Sequence, residues 1–248
     1  MLYFVFFDNH VTIFSISLAD SKMSNYRKFN FTFVCIIHDK DRSVDRIRGT
    51  KNLYKILGVA KSRTFRVLWM LEEIGERYEH IPSKPRSNEI RKINRTGKVP
   101  VLLDGEEILT DSSAIISYLG NKHEKLSFPS GTIERARQDA IVFRLIDEVD
   151  MILWAAARHS FILPEEQRVN AIKPSLKWEF EKNIDRIMDE KESKFLMGEE
   201  FMLPDIILAH CGSWARSAKF PSENKRFSDY IKFCYERPAV KRLIKSTP

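Results

Sequence analysis

The chain has 248 residues, 43% hydrophobic and 30% charged, enough apolar content for one large or two small packed domains, which excludes disorder of the whole chain. Its net charge of +7 is spread thinly: cations exceed anions by three before Leu53, by three from Leu53 to Phe128 and by one beyond. No basic run with interleaved aromatics stands out, so nucleic-acid binding is excluded. Cys35, Cys211 and Cys234 lie far apart, which excludes a disulfide framework or a Cys-x-x-Cys site and fits a reducing, cytoplasmic setting.

The opening stretch MLYFVFFDNHVTIFSISLAD is apolar enough to raise a secretory signal, with Ser17 and Ala19 placed like a cleavage site. No cation precedes the apolar run, and Asp8, Asn9 and His10 interrupt it. Secretion and membrane anchoring are therefore set aside. Residues 1–51 read as a poorly packed or disordered extension outside the fold.

From Leu53 the periods become regular. Leu53 to Leu57 is a short apolar run ended by Gly58, as for a buried strand. Val67, Leu68, Leu71 and Ile74 recur at helical spacing, Arg63, Arg66, Glu73 and Arg77 face elsewhere, and Gly75 is a natural stop. RYEHI reads as a second strand, Ser87 to Asn94 as a short helix or loop, and VPVLLDGEEIL as two strands joined around Asp104 and Gly105. Asp111 and Ser112 then offer N-cap chemistry to a helix carrying Ile115, Ile116 and Leu119.

Beyond SFPSG the strand signals stop. Val142, Leu145, Ile146, Val149, Ile152, Leu153 and Ala156 trace one helical face over four turns, and Ile172, Leu176, Phe180, Ile184 and Ile187 trace another. Pro204 to Ser217 and Phe227 to Glu236 are further helices. The expected organisation is an α/β domain over residues 52–128 and an all-α domain over residues 130–248.

Four stretches in this order resemble the cytosolic glutathione transferases, in particular serine-dependent, theta-like and zeta-like members of bacterial type. They are SRTFRVLWMLEEIGERYE, TGKVPVLLDGEEILTDSSAIISYL, FLMGEEFMLPDIILA and YERPAVKRLI. The resemblance covers roughly residues 53 to 245 and implies a thioredoxin-like N-terminal domain followed by an all-helical C-terminal domain. It further implies glutathione as co-substrate, a hydrophobic electrophile, no metal and a homodimer. His80, His123, His159 and His210 have no ligand spacing with cysteine or carboxylate.

Each motif then has a job beside a plainer reading. Ser62 stands between a strand and a helix N-terminus, where the macrodipole and free N–H groups favour an anion and its hydroxyl can donate to a thiolate. The resemblance places the catalytic serine there, four residues before Arg66; Thr64 is the rival, and a simple N-cap is the plainer role. Tyr54 lies inside the strand and reads as buried structure.

No cysteine occurs between Gly58 and Trp69, which disfavours thiol transfer by a protein nucleophile. Pro100 is expected in the cis form, aiming the Val99 backbone at the peptide ligand, against an ordinary strand-entry proline. Lys98 is placed to meet the glycyl carboxylate, or is a solvated charge.

Ser112 would hold the γ-glutamyl carboxylate and Asp111 the ammonium; the family commonly has glutamate or glutamine where Asp111 stands, one methylene longer. Both residues also suit plain helix caps. Met202 occupies a cap position where the family has Ser or Thr, while Asp205 keeps the other half of that box. The electrophile's pocket is expected between the domains, against the helix bearing Met151, Trp154 and Phe161. A noncatalytic binding protein on this fold and a glutathione-dependent peroxidase or reductase are the alternatives.

Overall fold

The computed structural model describes residues 53–221 and 223–246; the extension expected over residues 1–51 lies outside them. Strand β1 (Tyr54–Leu57) buries Tyr54, Ile56 and Leu57. After a kinked turn over residues 60–64, helix α1 (Phe65–Ile74) returns the chain to β2 (Tyr78–Ile81), which pairs parallel to β1. Gly75 ends α1 in the left-handed conformation, φ 78°, with its N–H on the Leu71 carbonyl, where a side chain would be strained.

Helix α2 (Asn88–Ile93) is capped by the Ser87 hydroxyl, which accepts from the Ile90 N–H. A hairpin follows, β3 (Val101–Asp104) and β4 (Glu107–Thr110), then α3 (Ser112–His123). The sheet order is β2-β1-β3-β4, with β3 antiparallel to both neighbours.

The remainder is helical: α4 (Ile133–Leu145), α5 (Met151–Ala157), α6 (Lys173–Glu190), α7 (Leu203–Ser217), α8 (Lys225–Tyr235) and α9 (Pro238–Ser246). Widened turns at Ile146–Asp150 and Arg158–Ile162 flank α5. The two expected apolar faces are buried except at Ile146 and Ile172, which are half-buried. Helix α7 is buried from Leu203 through Gly212.

One apolar cluster runs from α1 and α3 into α4, α6 and α7. Trp69 of α1 stacks on Phe201 at 5.7 Å and meets Tyr235 edge-on at 5.3 Å. Beside them Arg237 grips the Glu73 carboxylate at 2.6 and 2.8 Å. Asp205 keeps its half of the capping box, accepting from the Met202 N–H at 2.7 Å, and also takes the Tyr230 hydroxyl at 2.5 Å.

Arg66 departs from the expected pattern. Its spacing sets it off the apolar face of α1, yet it is fully buried. The partners that make this tolerable come from the helical half of the chain and are described below.

Candidate active site

Strand register gathers the motifs. Leu57 is opposite Val101, and Val101 is opposite Thr110. The segment leaving β1, the segment entering β3 and the segment leaving β4 therefore emerge side by side. These carry Ser62, then Lys98, Val99 and Pro100, then Asp111 and Ser112. Gly58 seals the first two: a Cβ built on it would lie 2.2 Å from Thr64 Oγ1 and 2.9 Å from Val99 Cβ, at φ 144°.

Ser62 sits at the kink, with φ −122° and ψ −170° before regular helix begins at Phe65. Its hydroxyl donates to the Val59 carbonyl at 2.7 Å and its oxygen accepts the Thr64 N–H at 3.2 Å. The Thr64 hydroxyl lies 2.9 Å away. Ser62 is half-buried whereas Thr64 is completely buried. Of the two rivals, Ser62 is the one open to a ligand, and in the free protein its oxygen serves as a local cap. The Tyr54 hydroxyl is engaged with His123 Nε2 at 2.8 Å, inside the fold as expected.

The Val99–Pro100 peptide bond is cis, and Pro100 is buried while Val99 is half-buried. Lys98 is exposed; its carbonyl accepts from Asn94 Nδ2 at 2.9 Å, which fixes the loop and leaves the ammonium free of that bond.

Asp111 adopts φ 71°, ψ 124°, a conformation L-residues rarely hold, and such strain concentrates at functional sites. Its Oδ1 accepts the N–H groups of Ser113 at 2.8 Å and Ala114 at 3.1 Å, so the carboxylate caps α3. Ser112 is the first helical residue and buried; the Ser113 hydroxyl beside it is buried without a hydrogen-bond partner. The capping reading thus describes Asp111 directly, and its second oxygen is the one left for a ligand.

Beneath the Ser62 turn lies a network that the sequence reading missed. Asp150, buried just ahead of α5, accepts Arg63 Nε at 3.1 and 3.0 Å and also pairs with Arg63 Nη2 and Arg66 Nη2. Burial alone would raise its carboxyl; the Arg66 and Arg63 guanidiniums overcome this and hold it well below the usual carboxylate range. Arg66 Nε donates to His210 Nδ1 at 3.1 Å and Nη2 to Cys211 Sγ at 3.1 Å, while Nη1 is buried without a partner. Burial pushes the Cys211 thiol up to about 12, so it stays protonated. The only signal in the sequence was His210–Cys211 in the middle of an apolar helix.

The Arg63 guanidinium is 5.0 Å from the ring centroids of both Trp154 and Trp214, which puts Trp154 beside the turn. Met151 and Phe161 of the expected electrophile pocket are exposed, Phe161 at 67%. A separate cavity of about 530 Å³ is lined by Leu53, Glu72, Tyr78 and His80 among others.

A family profile described as "Glutathione S-transferase, N-terminal domain" matches residues 61–127. The chain is 26% identical to a zeta-class glutathione S-transferase of Euphorbia esula over 59% of this chain and 68% of the relative. It is 30% identical to glutathione S-transferase theta-2B of Homo sapiens over 51% of this chain and 54% of the relative. Among solved structures, a glutathione transferase of Phanerochaete chrysosporium in complex with oxidized glutathione has a TM-score of 0.69 and 22% identity. That match covers 80% of this chain and 97% of that one. A theta-class enzyme of Xanthomonas axonopodis with glutathione bound has a TM-score of 0.63 and 24% identity, covering 76% and 95%. The structural matches fix the fold, a thioredoxin-like half followed by a helical half, and the profile and relatives make the chain similar to glutathione S-transferases, most directly over residues 61–127.

Proposed function

We propose that this protein is a glutathione transferase, adding the glutathione thiolate to a hydrophobic electrophile. The observation that carries the reading is the register that brings the Ser62 turn, the cis Val99–Pro100 bond and the Asp111–Ser112 helix start to one end of the sheet. Each supplies what one part of the tripeptide needs. The Val99 backbone offers an extended pairing edge for the cysteinyl segment. The α3 N-terminus at Ser112 and the second oxygen of Asp111 suit the γ-glutamyl carboxylate and ammonium, and Lys98 suits the glycyl carboxylate.

Ser62 then acts as a thiolate stabiliser. Its hydroxyl turns from the Val59 carbonyl to the ligand sulfur, while the N-terminus of α1 favours the negative charge. It is not a base: the proton leaves to solvent. The thiolate attacks the electrophile, a carbon–sulfur bond forms and the leaving group departs.

The working unit is a homodimer in the cytoplasm, with residues 52–128 as the glutathione-binding domain and 130–248 as the helical domain. Exposed Ile133, Phe143 and Met151 on α4 and α5, with Ile108 on the edge strand β4, support the dimer; Phe143 is 70% exposed. Among the described residues no helix is long and apolar enough to cross a membrane.

A noncatalytic binding protein is the second reading, favoured by the prior engagement of the Ser62 hydroxyl and of one Asp111 oxygen. Retention on immobilised glutathione, followed by turnover of an aryl halide and of a hydroperoxide, separates the readings. Retention with halide turnover supports conjugation and retention with hydroperoxide turnover a peroxidase; retention without turnover, or no retention, favours a noncatalytic ligand- or partner-binding protein.

A further inference from the structure

Arg63 follows Ser62 directly in the chain, and its guanidinium is held by three side chains of the helical half at once. Nε lies 3.1 and 3.0 Å from the two Asp150 oxygens, and Nη2 pairs with the same carboxylate. The guanidinium carbon is 5.0 Å from the ring centroids of Trp154 and of Trp214, within cation–π reach of both. An arginine at a surface ordinarily moves freely in water; this one is fixed beside the turn.

Those contacts leave over a donor and a charge. The Nε and Nη2 edge of the fork is spent on Asp150, and Nη1 has no hydrogen-bond partner among the described residues. The partnerless side-chain nitrogens and oxygens that are sealed from solvent are Arg66 Nη1 and Ser113 Oγ. Arg63 Nη1 is therefore open to solvent, on a side chain 25% exposed. Asp150 carries one negative charge between two guanidiniums, and among the described residues no other carboxylate lies within ion-pair distance of either. One positive charge is uncompensated. Arg66 is fully buried, so a ligand meets that charge at Arg63.

We propose that Arg63 selects the electrophile: a planar aromatic compound bearing a carboxylate, whose oxygens accept from Nη1 while its ring lies along the half-buried indoles of Trp154 and Trp214. The inference rests on the conjugation reading above and names its substrate class. Ser62 and Arg63 are consecutive, with α-carbons about 3.8 Å apart, so one small molecule spans the sulfur at Ser62 and the donor at Nη1. A carboxylate supplies the negative charge that the two arginines lack, and a hydrogen bond between charged groups is stronger than a neutral one. Because Asp150 and the indoles already fix the guanidinium, little side-chain freedom is lost on binding.

The experiment compares two aryl halides that differ by one charge, 4-chloro-3-nitrobenzoate and its methyl ester, in the full chain and in Arg63→Met. With each, the thiolate sulfur bonds to the ring carbon that bears chlorine, and chloride leaves. Each kcat/KM is divided by the rate constant of the same halide with free glutathione, which removes the difference in intrinsic reactivity. On that scale wild type favours the acid by about ten-fold or more, and Arg63→Met brings the ratio to about one. Any part Arg63 plays in stabilising the thiolate lowers both substrates alike and cancels. Asp150 keeps its pair with Arg66 in the variant, which preserves the fold. A wild-type ratio near one overturns the proposal, as does a ratio unchanged in Arg63→Met.

Calorimetric binding of the two product conjugates needs no turnover. Wild type holds the carboxylated conjugate about ten-fold tighter than its ester, and Arg63→Met holds both alike. Equal affinities in wild type overturn the proposal and leave glutathione binding in place. A wild type that binds neither conjugate removes the conjugation reading, and the proposal falls with it.

Discussion

Gly58 is pressed against Thr64, so closely that a methyl group on its α-carbon would lie 2.2 Å from the threonine hydroxyl oxygen. The contact joins the end of β1 to the turn bearing Ser62, and Val99 closes it from the other side. Gly58→Ala therefore meets both a clash and a backbone conformation at φ 144° that L-residues avoid. A loss of about 2 to 4 kcal/mol in urea unfolding is expected. Adding Thr64→Ala should return part of it. An unchanged midpoint in Gly58→Ala would show that the turn is looser than described.

Ser62→Ala should leave the fold nearly intact, because the residue is half-buried and its capping bond to Thr64 is long at 3.2 Å. Conjugation turnover should fall by roughly ten-fold or more, as a hydrogen bond to a charged sulfur is lost. Thr64→Val keeps the shape of a completely buried residue and should retain more activity than Ser62→Ala. The reverse order in steady-state kinetics would move the thiolate contact to Thr64.

Asp111 combines a strained backbone with a cap. Asp111→Ala loses the bonds to Ser113 and Ala114 and keeps φ 71°, so about 1 to 2 kcal/mol of stability should go. Asp111→Gly gives up the cap but relaxes the backbone, and should be closer to wild type. Glutathione affinity should drop in both to the same extent if the free carboxylate oxygen holds the ammonium, and Asp111→Glu should restore it. Calorimetric titration that finds equal affinity in all four proteins would remove Asp111 from the ligand site.

The sheet half was legible because its signals are local. Apolar runs of four residues, Gly75 as a stop, the Asp104–Gly105 turn and the Asp111 cap each act over a few positions, and β1 to α3 follow them closely. Ser62, Val99, Pro100 and Ser112 came together for the same reason: short connections leave register little freedom. Arg66 was misread because a charge on an amphipathic helix ordinarily faces water, and its partners are remote. Asp150 is 84 positions away and His210 is 144. No periodicity in one segment reports a buried ion pair completed by another.

Acid should expose that network through stability. In the unfolded chain histidine takes a proton near its ordinary value of about 6.5, whereas folded His210 is held well below it. The unfolded state then binds more protons, so stability falls as pH drops below about 6.5, by up to about 1.4 kcal/mol per pH unit. Asp150, held low by Arg66 and Arg63, adds a loss of the same sign below about pH 4. Urea midpoints between about pH 7 and 5 should decline in wild type and flatten in His210→Gln, a comparison that cancels the other titrating groups. Parallel curves for the two proteins would mean that His210 is protonated in the folded state.

On the proposed reading, this end of the sheet binds glutathione and lowers the pKa of its thiol. The most direct measurement is the ultraviolet absorbance of the thiolate in the glutathione complex, followed against pH for wild type and Ser62→Ala. Wild type should show the thiolate at neutral pH, one to two units below the ordinary thiol value of about 8.5, and Ser62→Ala should shift that titration upward. A wild-type complex whose thiol titrates like free glutathione, unchanged by Ser62→Ala, would contradict the assignment.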